Sequence, residues 1–387
     1  MKICIDISQA VYEGTGSGRY VIELVKNLLL IDPENEYVLF GSAMRKNQSL
    51  LAILDHFKSL DSNKKVSVKN FTYPPKFFEI IWNKFNILKI ERFVGEVDIV
   101  HSSDWTQPPT RAVTVTTVHD LIPFLFEEYV HPRILKAHKA RWKWIQNSNV
   151  YIIVDALSTK KDIIEKFAIS DERIAVVPLA CDERFFEFGE KNIKGLPIDD
   201  EINNVLRKYN VNCKNYILSV GTLEPRKNIH KLIEAYSNLC EQTRSQYPLL
   251  IVGKKSWDGE IPNCEGVHFT GYISDDVLPL IYAGAKCFIM PSLYEGFGLP
   301  MLEAMASGTA VICSNNSSLI EIGGQDVHYI ENPKSAESIR VVLEHVLQTE
   351  GSDNLIEINA AYLRARTFSW KRTAMETLDV YNRLGNV

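Results

Sequence analysis

Short, continuously apolar runs rich in β-branched residues alternate with longer amphipathic stretches along almost the whole chain, and this alternation restricts the fold more than any other feature. In the first half the strand-like runs are Ile3–Ile7, Tyr37–Phe40, Asp98–His101, Val113–Val118, Tyr151–Val154 and Ile174–Val177. In the second half they are Tyr216–Val220, Leu249–Val252, Val267–Phe269, Cys287–Met290 and Ala310–Cys313. Helical spacing fills the gaps: Tyr20, Leu24, Asn27, Leu28 and Ile31 share a face, and similar patterns cover Ile229–Cys240, Val277–Ala283, Pro300–Ala306 and Ala336–Leu347. Strands apolar on both faces, each followed by a helix, predict parallel sheets covered on both sides. A chain of 387 residues exceeds one compact core and suits two domains. The alternation lapses between Glu187 and Asn215, a charged and polar stretch with Gly189, Gly195 and Pro197, which predicts a linker with a short helix. The expectation is therefore an α/β chain whose domains, 1–188 and 189–370, face each other across a cleft. A terminal amphipathic helix carries Trp370, Ala374, Leu378, Tyr381 and Leu384.

Bulk properties remove several classes of function. A net charge of -5 gives no electrostatic case for nucleic acid as a partner. No stretch of about eighteen apolar residues is present, so no membrane span is expected. Met1–Ile7 reads as a first strand rather than a signal peptide. The 7 cysteines are scattered and form no Cys-x-x-Cys pair, which argues against a disulfide framework or zinc site and for a reducing, cytoplasmic setting.

Chemistry concentrates at strand ends. Gly14-Thr15-Gly16-Ser17-Gly18-Arg19-Tyr20 follows the first strand and opens a helix, where glycines let backbone approach a ligand and free N–H groups attract an anion. The structural alternative is a flexible turn. His119-Asp120 ends the strand Val113–Val118, on the side where open parallel sheets bind ligands; a structural histidine is the alternative. Gly221-Thr222-Leu223-Glu224-Pro225-Arg226-Lys227-Asn228 follows the first strand of the second half. Its adjacent cations suit a diphosphate, Arg226 as a planar fork and Lys227 as a point charge, though a solvated basic turn would look similar. The most specific run is Pro291 to Ala304: a strand ends, Glu295-Gly296-Phe297-Gly298-Leu299 forms a glycine-rich loop, and Pro300 starts a helix that carries Glu303. Loop amides there can hold phosphate, and the two carboxylates can accept bonds from sugar hydroxyls.

Together these runs resemble glycosyltransferase family 4. The resemblance covers almost the whole chain: Gly16-Ser17-Gly18-Arg19-Tyr20, Val118-His119-Asp120-Leu121-Ile122-Pro123, Val220 to Asn228, Ser292 to Gly298, Glu303 to Gly308, and Phe368-Ser369-Trp370. It implies the GT-B fold, two Rossmann-like domains, with the helix at 371–387 packing back on the first. It further implies a retaining transfer of a hexose from a nucleoside diphosphate. Arg226 and Lys227 would hold the diphosphate, with Gly221, Gly296, Phe297, Gly298 and Leu299 completing the donor loops. Glu303 would take ribose hydroxyls, Glu295 the hydroxyls of the transferred sugar, and His119 the sugar itself. Gly16 and Gly18 would give backbone room near phosphates and acceptor. No cofactor or metal is expected, in keeping with the lack of an Asp-x-Asp motif.

The chain looks most like the mannosyltransferases of polysaccharide and O-antigen assembly. The leading donor is therefore GDP-mannose and the acceptor a saccharide or lipid-linked saccharide; a UDP-sugar donor, or a non-catalytic sugar-nucleotide-binding protein, is the alternative. An oxidoreductase would need Gly-x-Gly-x-x-Gly and a Tyr-x-x-x-Lys pair, both missing. A retaining glycosidase would need Glu295 and Glu303 to act as an acid–nucleophile pair. Two departures from the family pattern stand out: Asp155 where a serine is common, and Gly323-Gly324-Gln325-Asp326 for a commoner Ala-Gly-Asp-Ala. Two basic-aromatic segments, 76–84 and 136–144, are candidates for peripheral contact with an anionic membrane at its inner face; the alternative turns their aromatics inward and their cations to water.

Overall fold

Strands buried on both faces account for the sheets. The computed structural model describes residues 1–12, 14–44, 47–60, 65–196, 199–209, 211–254, 264–349 and 352–385. The chain forms two compact units, Met1–Leu179 together with Ser369–Val387, and Ala180–Phe368. In the first, β1 (Lys2–Asp6), β2 (Glu36–Ser42), β3 (Val66–Phe71), β4 (Ile99–Ser102), β5 (Val113–Val118), β6 (Val150–Val154) and β7 (Ile174–Val176) form one sheet in the order β3-β2-β1-β4-β5-β6-β7. In the second, β8 (Ile217–Val220), β9 (Leu249–Val252), β10 (Val267–Gly271), β11 (Cys287–Met290), β12 (Ala310–Ser314) and β13 (His328–Ile330) run in the order β10-β9-β8-β11-β12-β13. Every pairing is parallel. The central β11 and β12 are buried at every residue, as continuous apolar runs require.

Two strands escaped the sequence reading. β3 alternates apolar and polar residues because it is an edge strand with one solvated face, and β13 is only 3 residues long. The stretch read as a linker is also more ordered than expected. The helix Glu183–Ile193 starts at an Asp182 cap and places Phe185 against Tyr282 and Phe186 against Tyr362. Burial of each ring is worth about 1.5–3 kcal/mol, which draws this segment into the second unit, starting at Ala180 rather than Gly189. A second helix, Asp199–Leu206, follows; Pro197 lies outside the described residues, as do residues 386 and 387 of the stretch read as a terminal helix.

Gly189 is a packing residue. A Cβ there would lie 2.0 Å from the Ala306 carbonyl oxygen. Gly189→Ala is expected to cost about 1–3 kcal/mol through forced overpacking, read as a lowered urea midpoint. An unchanged midpoint would show that the helix can move aside.

The terminal helix Trp370–Gly385 belongs to the first unit. Its Tyr381 hydroxyl lies 2.5 Å from His101 Nδ1 on β4, and Thr373 donates to the Pro178 carbonyl at 2.7 Å. All the cysteines are free thiols, and Cys4, Cys181, Cys287 and Cys313 serve as small buried apolar residues.

Candidate functional site

In the second unit the strand order turns at β8 and β11. These strands are neighbours, yet β9 and β10 lie on one side and β12 and β13 on the other. Loops leaving the carboxyl ends of two such strands diverge and form the crevice where open α/β sheets bind ligands. The loop after β8 carries Gly221 to Asn228 and the loop after β11 carries Pro291 to Gly298, so the two most suggestive sequence runs meet at this point. They are tied together: Leu293 N–H donates to the Arg226 carbonyl at 2.9 Å, and the Asn228 amide donates to the Pro291 carbonyl at 3.0 Å. Asn228 holds the left-handed conformation (φ 61°) that turns the chain into the helix Ile229–Ser237.

A compact ionic cluster results. Arg226 Nη1 lies 2.8 Å from Glu295 Oε2 and Lys227 Nζ 2.7 Å from Glu295 Oε1. Arg226 also donates to Glu224 and to the Tyr294 carbonyl, so its guanidinium is fixed in place while Lys227 is held chiefly by Glu295. Burial disfavours the charge on Glu295, but the Arg226 and Lys227 cations outweigh it and hold the carboxyl down at about 2. Glu295 is therefore an anion at neutral pH and unsuited to be a general acid.

The remaining residues of the loops divide into floor and frame. A Cβ on Gly221 would touch the Lys227 stem at 3.4 Å, so this glycine underlies the lysine. Gly298 sits at φ 98° at the mouth of the helix Leu299–Ala306, and a Cβ there would strike Leu319 at 2.7 Å. Gly296 lies between Glu295 and Phe297 in the same loop. Phe297 is buried with its ring against Phe368 and acts as packing. Glu303 is buried on the helix Leu299–Ala306, and its Oε2 accepts from the Tyr282 hydroxyl at 2.9 Å.

The first unit repeats the arrangement. Its order turns at β1 and β4, and a cavity of about 1120 Å³ opens beyond their carboxyl ends, lined among others by Asp6, Tyr12, Trp82, Asp104, Trp105 and His138. Gly16 begins the helix Gly16–Ile31. The Gly18 amide donates to the Thr15 capping hydroxyl at 3.2 Å, and a Cβ on Gly18 would lie 2.7 Å from the Tyr12 carbonyl oxygen. Gly18 thus has a full structural reason in the cap and the close turn. His119, after β5, packs edge-on against Tyr20 and places Nδ1 2.7 Å from Asp155 Oδ2.

No sequence motif marks Asp104, Trp105 or Arg141 as site residues. Arg141, on the helix Pro132–Asn147, is completely buried; it donates to Asp104 Oδ1 at 3.2 Å, to Thr116 Oγ1 at 2.6 Å and to the Ser103 and Thr117 carbonyls. It is a strut behind the cavity wall, not a cation facing water. Along the same helix Trp142 is buried in a stack on Phe167, while Lys136, Lys139 and Lys143 are exposed. In the other basic-aromatic segment Phe78, Ile81 and Trp82 are buried, but Ile80 is exposed, as are Phe85, Ile87 and Leu88 just beyond it, beside exposed Lys84 and Lys89. Among the described residues no helix is long and apolar enough to cross a membrane.

Comparison with known proteins agrees with this architecture. The model of "Glycosyltransferase Family 4" matches residues 14–185, and that of "Glycosyl transferases group 1" matches residues 202–362. The O-antigen chain mannosyltransferase B of Escherichia coli is 31% identical over 404 residues, covering 99% of this chain and 100% of that protein. The serotype-specific mannosyltransferase WbdA of Escherichia coli is 32% identical over 286 residues, 70% of this chain and 33% of that one. Among solved structures, a glycosyltransferase from Rickettsia africae superposes with a TM-score of 0.68 at 18% identity, covering 99% of this chain and 98% of that one. WaaG, a glycosyltransferase involved in lipopolysaccharide biosynthesis, gives 0.69 at 15% identity, covering 98% and 99%. Two parallel-sheet units with long loops at the turning points of their strand orders, and a relative 31% identical across both chains, lead to one assignment: the chain belongs to glycosyltransferase family 4 and is a GT-B glycosyltransferase.

Proposed function

We propose that the enzyme is a retaining, metal-independent mannosyltransferase that moves mannose from GDP-mannose to a saccharide or lipid-linked saccharide in O-antigen-type polysaccharide assembly. The observation that carries the reading is the Arg226–Lys227–Glu295 cluster: two adjacent cations, both paired to one buried carboxylate. An arriving diphosphate competes for both cations, which meet its charge and stabilise it as the glycosidic bond breaks. Glu295, released from them, then accepts bonds from hydroxyls of the transferred sugar. Glu303, oriented by Tyr282, takes the ribose hydroxyls, and His119 contacts the sugar. Mannose as the sugar rests on the relatives, since the O-antigen chain mannosyltransferase B and WbdA are both named for its transfer. The cavity of the first unit, with Trp105 for a sugar face and Asp104 for hydroxyls, takes the acceptor.

A thermal-shift panel of nucleoside diphosphates tests the base, because a ligand that binds only the native state stabilises it by about 2.7 kcal/mol at a hundredfold excess over Kd. GDP is expected to give the largest shift and GDP-mannose to be consumed. Shifts and turnover confined to UDP compounds would overturn the donor.

Peripheral membrane contact, at a cytoplasmic membrane face, runs through Ile80, Phe85, Ile87 and Leu88, with Lys84 and Lys89 supplying charge for anionic headgroups. Co-sedimentation with anionic vesicles is expected to exceed that with neutral ones, and Phe85→Ser/Ile87→Ser to reduce it. Equal binding to both vesicle types would count against the contact.

A further inference from the structure

The chemistry of Asp155 becomes visible only beside His119. The carboxylate is buried just ahead of the helix Leu157–Phe167, with Oδ2 2.7 Å from His119 Nδ1. Its Oδ1 has no hydrogen-bond partner among the described residues, so the histidine is the chief compensation for a buried carboxylate. His119 itself keeps 17% of its side chain exposed, against 2% for Asp155. His119 is thus partly open to solvent while Asp155 lies behind it, and an uncharged acceptor at 155 could supply the bond but not the charge.

We propose that Asp155 is a positioning residue of this glycosyltransferase: by fixing Nδ1–H it holds His119 as a doubly protonated ring, so that Nε2–H serves as a permanent hydrogen-bond donor to the bound sugar nucleotide rather than as a base. The inference rests on the reading of His119 as a sugar contact.

The surroundings favour that state. Burial opposes charge on His119, but the Asp155 carboxylate, with Asp104 and Asp120, outweighs it and raises the ring to about 9. Burial also pushes the Asp155 carboxyl up, while His119 pulls it back; the direction that follows from the 2.7 Å contact is a proton retained by the pair through neutral pH. Tyr20 packs edge-on against the ring, and Arg141 ties up one oxygen of Asp104. His101, the nearby histidine on β4, is kept neutral by burial and by the charge on His119, at about 3. The two neighbouring histidines therefore differ, His119 charged and His101 neutral.

The donor and base roles predict opposite pH dependence. A donor loses activity as pH rises through its pKa; a base gains it. The test combines titration of His119 by NMR, assigned through a His119→Gln spectrum, with kcat for hydrolysis of the nucleotide-sugar that the panel identifies. Wild-type His119 is expected to stay protonated to about pH 9, with kcat falling above that. In Asp155→Asn, which keeps a bond acceptor without charge, the midpoint falls to the ordinary 6.5 or below, and kcat at pH 8 drops about 30-fold with KM little changed. Asp155→Glu restores both in part. An unmoved midpoint in Asp155→Asn overturns the inference, as does kcat that rises through pH 9 or fails to follow the shifted midpoint. If His119→Ala keeps full activity while the titration behaves as described, it is the sugar-contact role that fails and not the pairing.

Discussion

Lys227→Ala is expected to lower kcat by about 10²–10³-fold, the cost of removing one preorganised charge from a developing anion. The lysine is the cleaner probe of the cluster because of how the two cations are held. Arg226 is braced by Glu224 and the Tyr294 carbonyl as well as by Glu295, and its own carbonyl accepts from Leu293 across the loops. Replacing it would loosen both loops and confuse folding with catalysis. Lys227 Nζ has Glu295 as its partner at 2.7 Å, and Glu295 keeps Arg226 when the lysine is gone. The variant should therefore unfold close to the wild-type temperature while losing most of the thermal shift given by a nucleoside diphosphate. Steady-state turnover and melting curves read the two effects separately. A kcat within tenfold of wild type, on a folded protein, would mean that the diphosphate is held elsewhere.

The pieces of this cluster were legible in the sequence, but not their closure. β11 announces itself as four buried apolar residues, and the Gly-Phe-Gly loop and Pro300 declare where the strand stops and the helix starts. Glu295, however, lies 68 residues from Lys227, and no local pattern states that one carboxylate will span both cations. That follows from the strand order, since only the adjacency of β8 and β11 brings the loops together. The cavity of the first unit was hidden for the same reason: Asp6, Tyr12, Trp82, Trp105 and His138 come from separate segments with no shared motif. Asp155 was noticeable as an unusual residue, yet its meaning needs the neighbouring strands β5 and β6, whose ends set it beside His119. Gly189 was misread because a glycine required by close helix packing looks, in sequence, like one required by a flexible link.

Glu295→Gln is expected to destabilise the free enzyme and to make it lean on its ligand. In the wild type one buried carboxylate neutralises two nearly buried cations, and breaking such an arrangement from one side costs about 3–5 kcal/mol. For a unit of this size that is roughly 6–20 °C in Tm. The pH dependence has a definite sign. The carboxyl is held at about 2 in the folded chain against an ordinary 4.5, so its contribution is fully present above 4.5 and is lost as pH falls towards 2. The gap between wild type and variant should accordingly be widest at neutral pH and narrow on acidification. A nucleoside diphosphate places fresh negative charge between Arg226 and Lys227, and in the variant it no longer competes with Glu295 for them. The ligand-induced shift should then exceed the wild-type shift, even though turnover falls because the sugar loses its carboxylate. Melting curves with and without GDP, at pH 7 and pH 4, measure all of this. Equal melting temperatures in the free proteins, with equal shifts on adding ligand, would show that the carboxylate and the diphosphate do not share the same pair of cations.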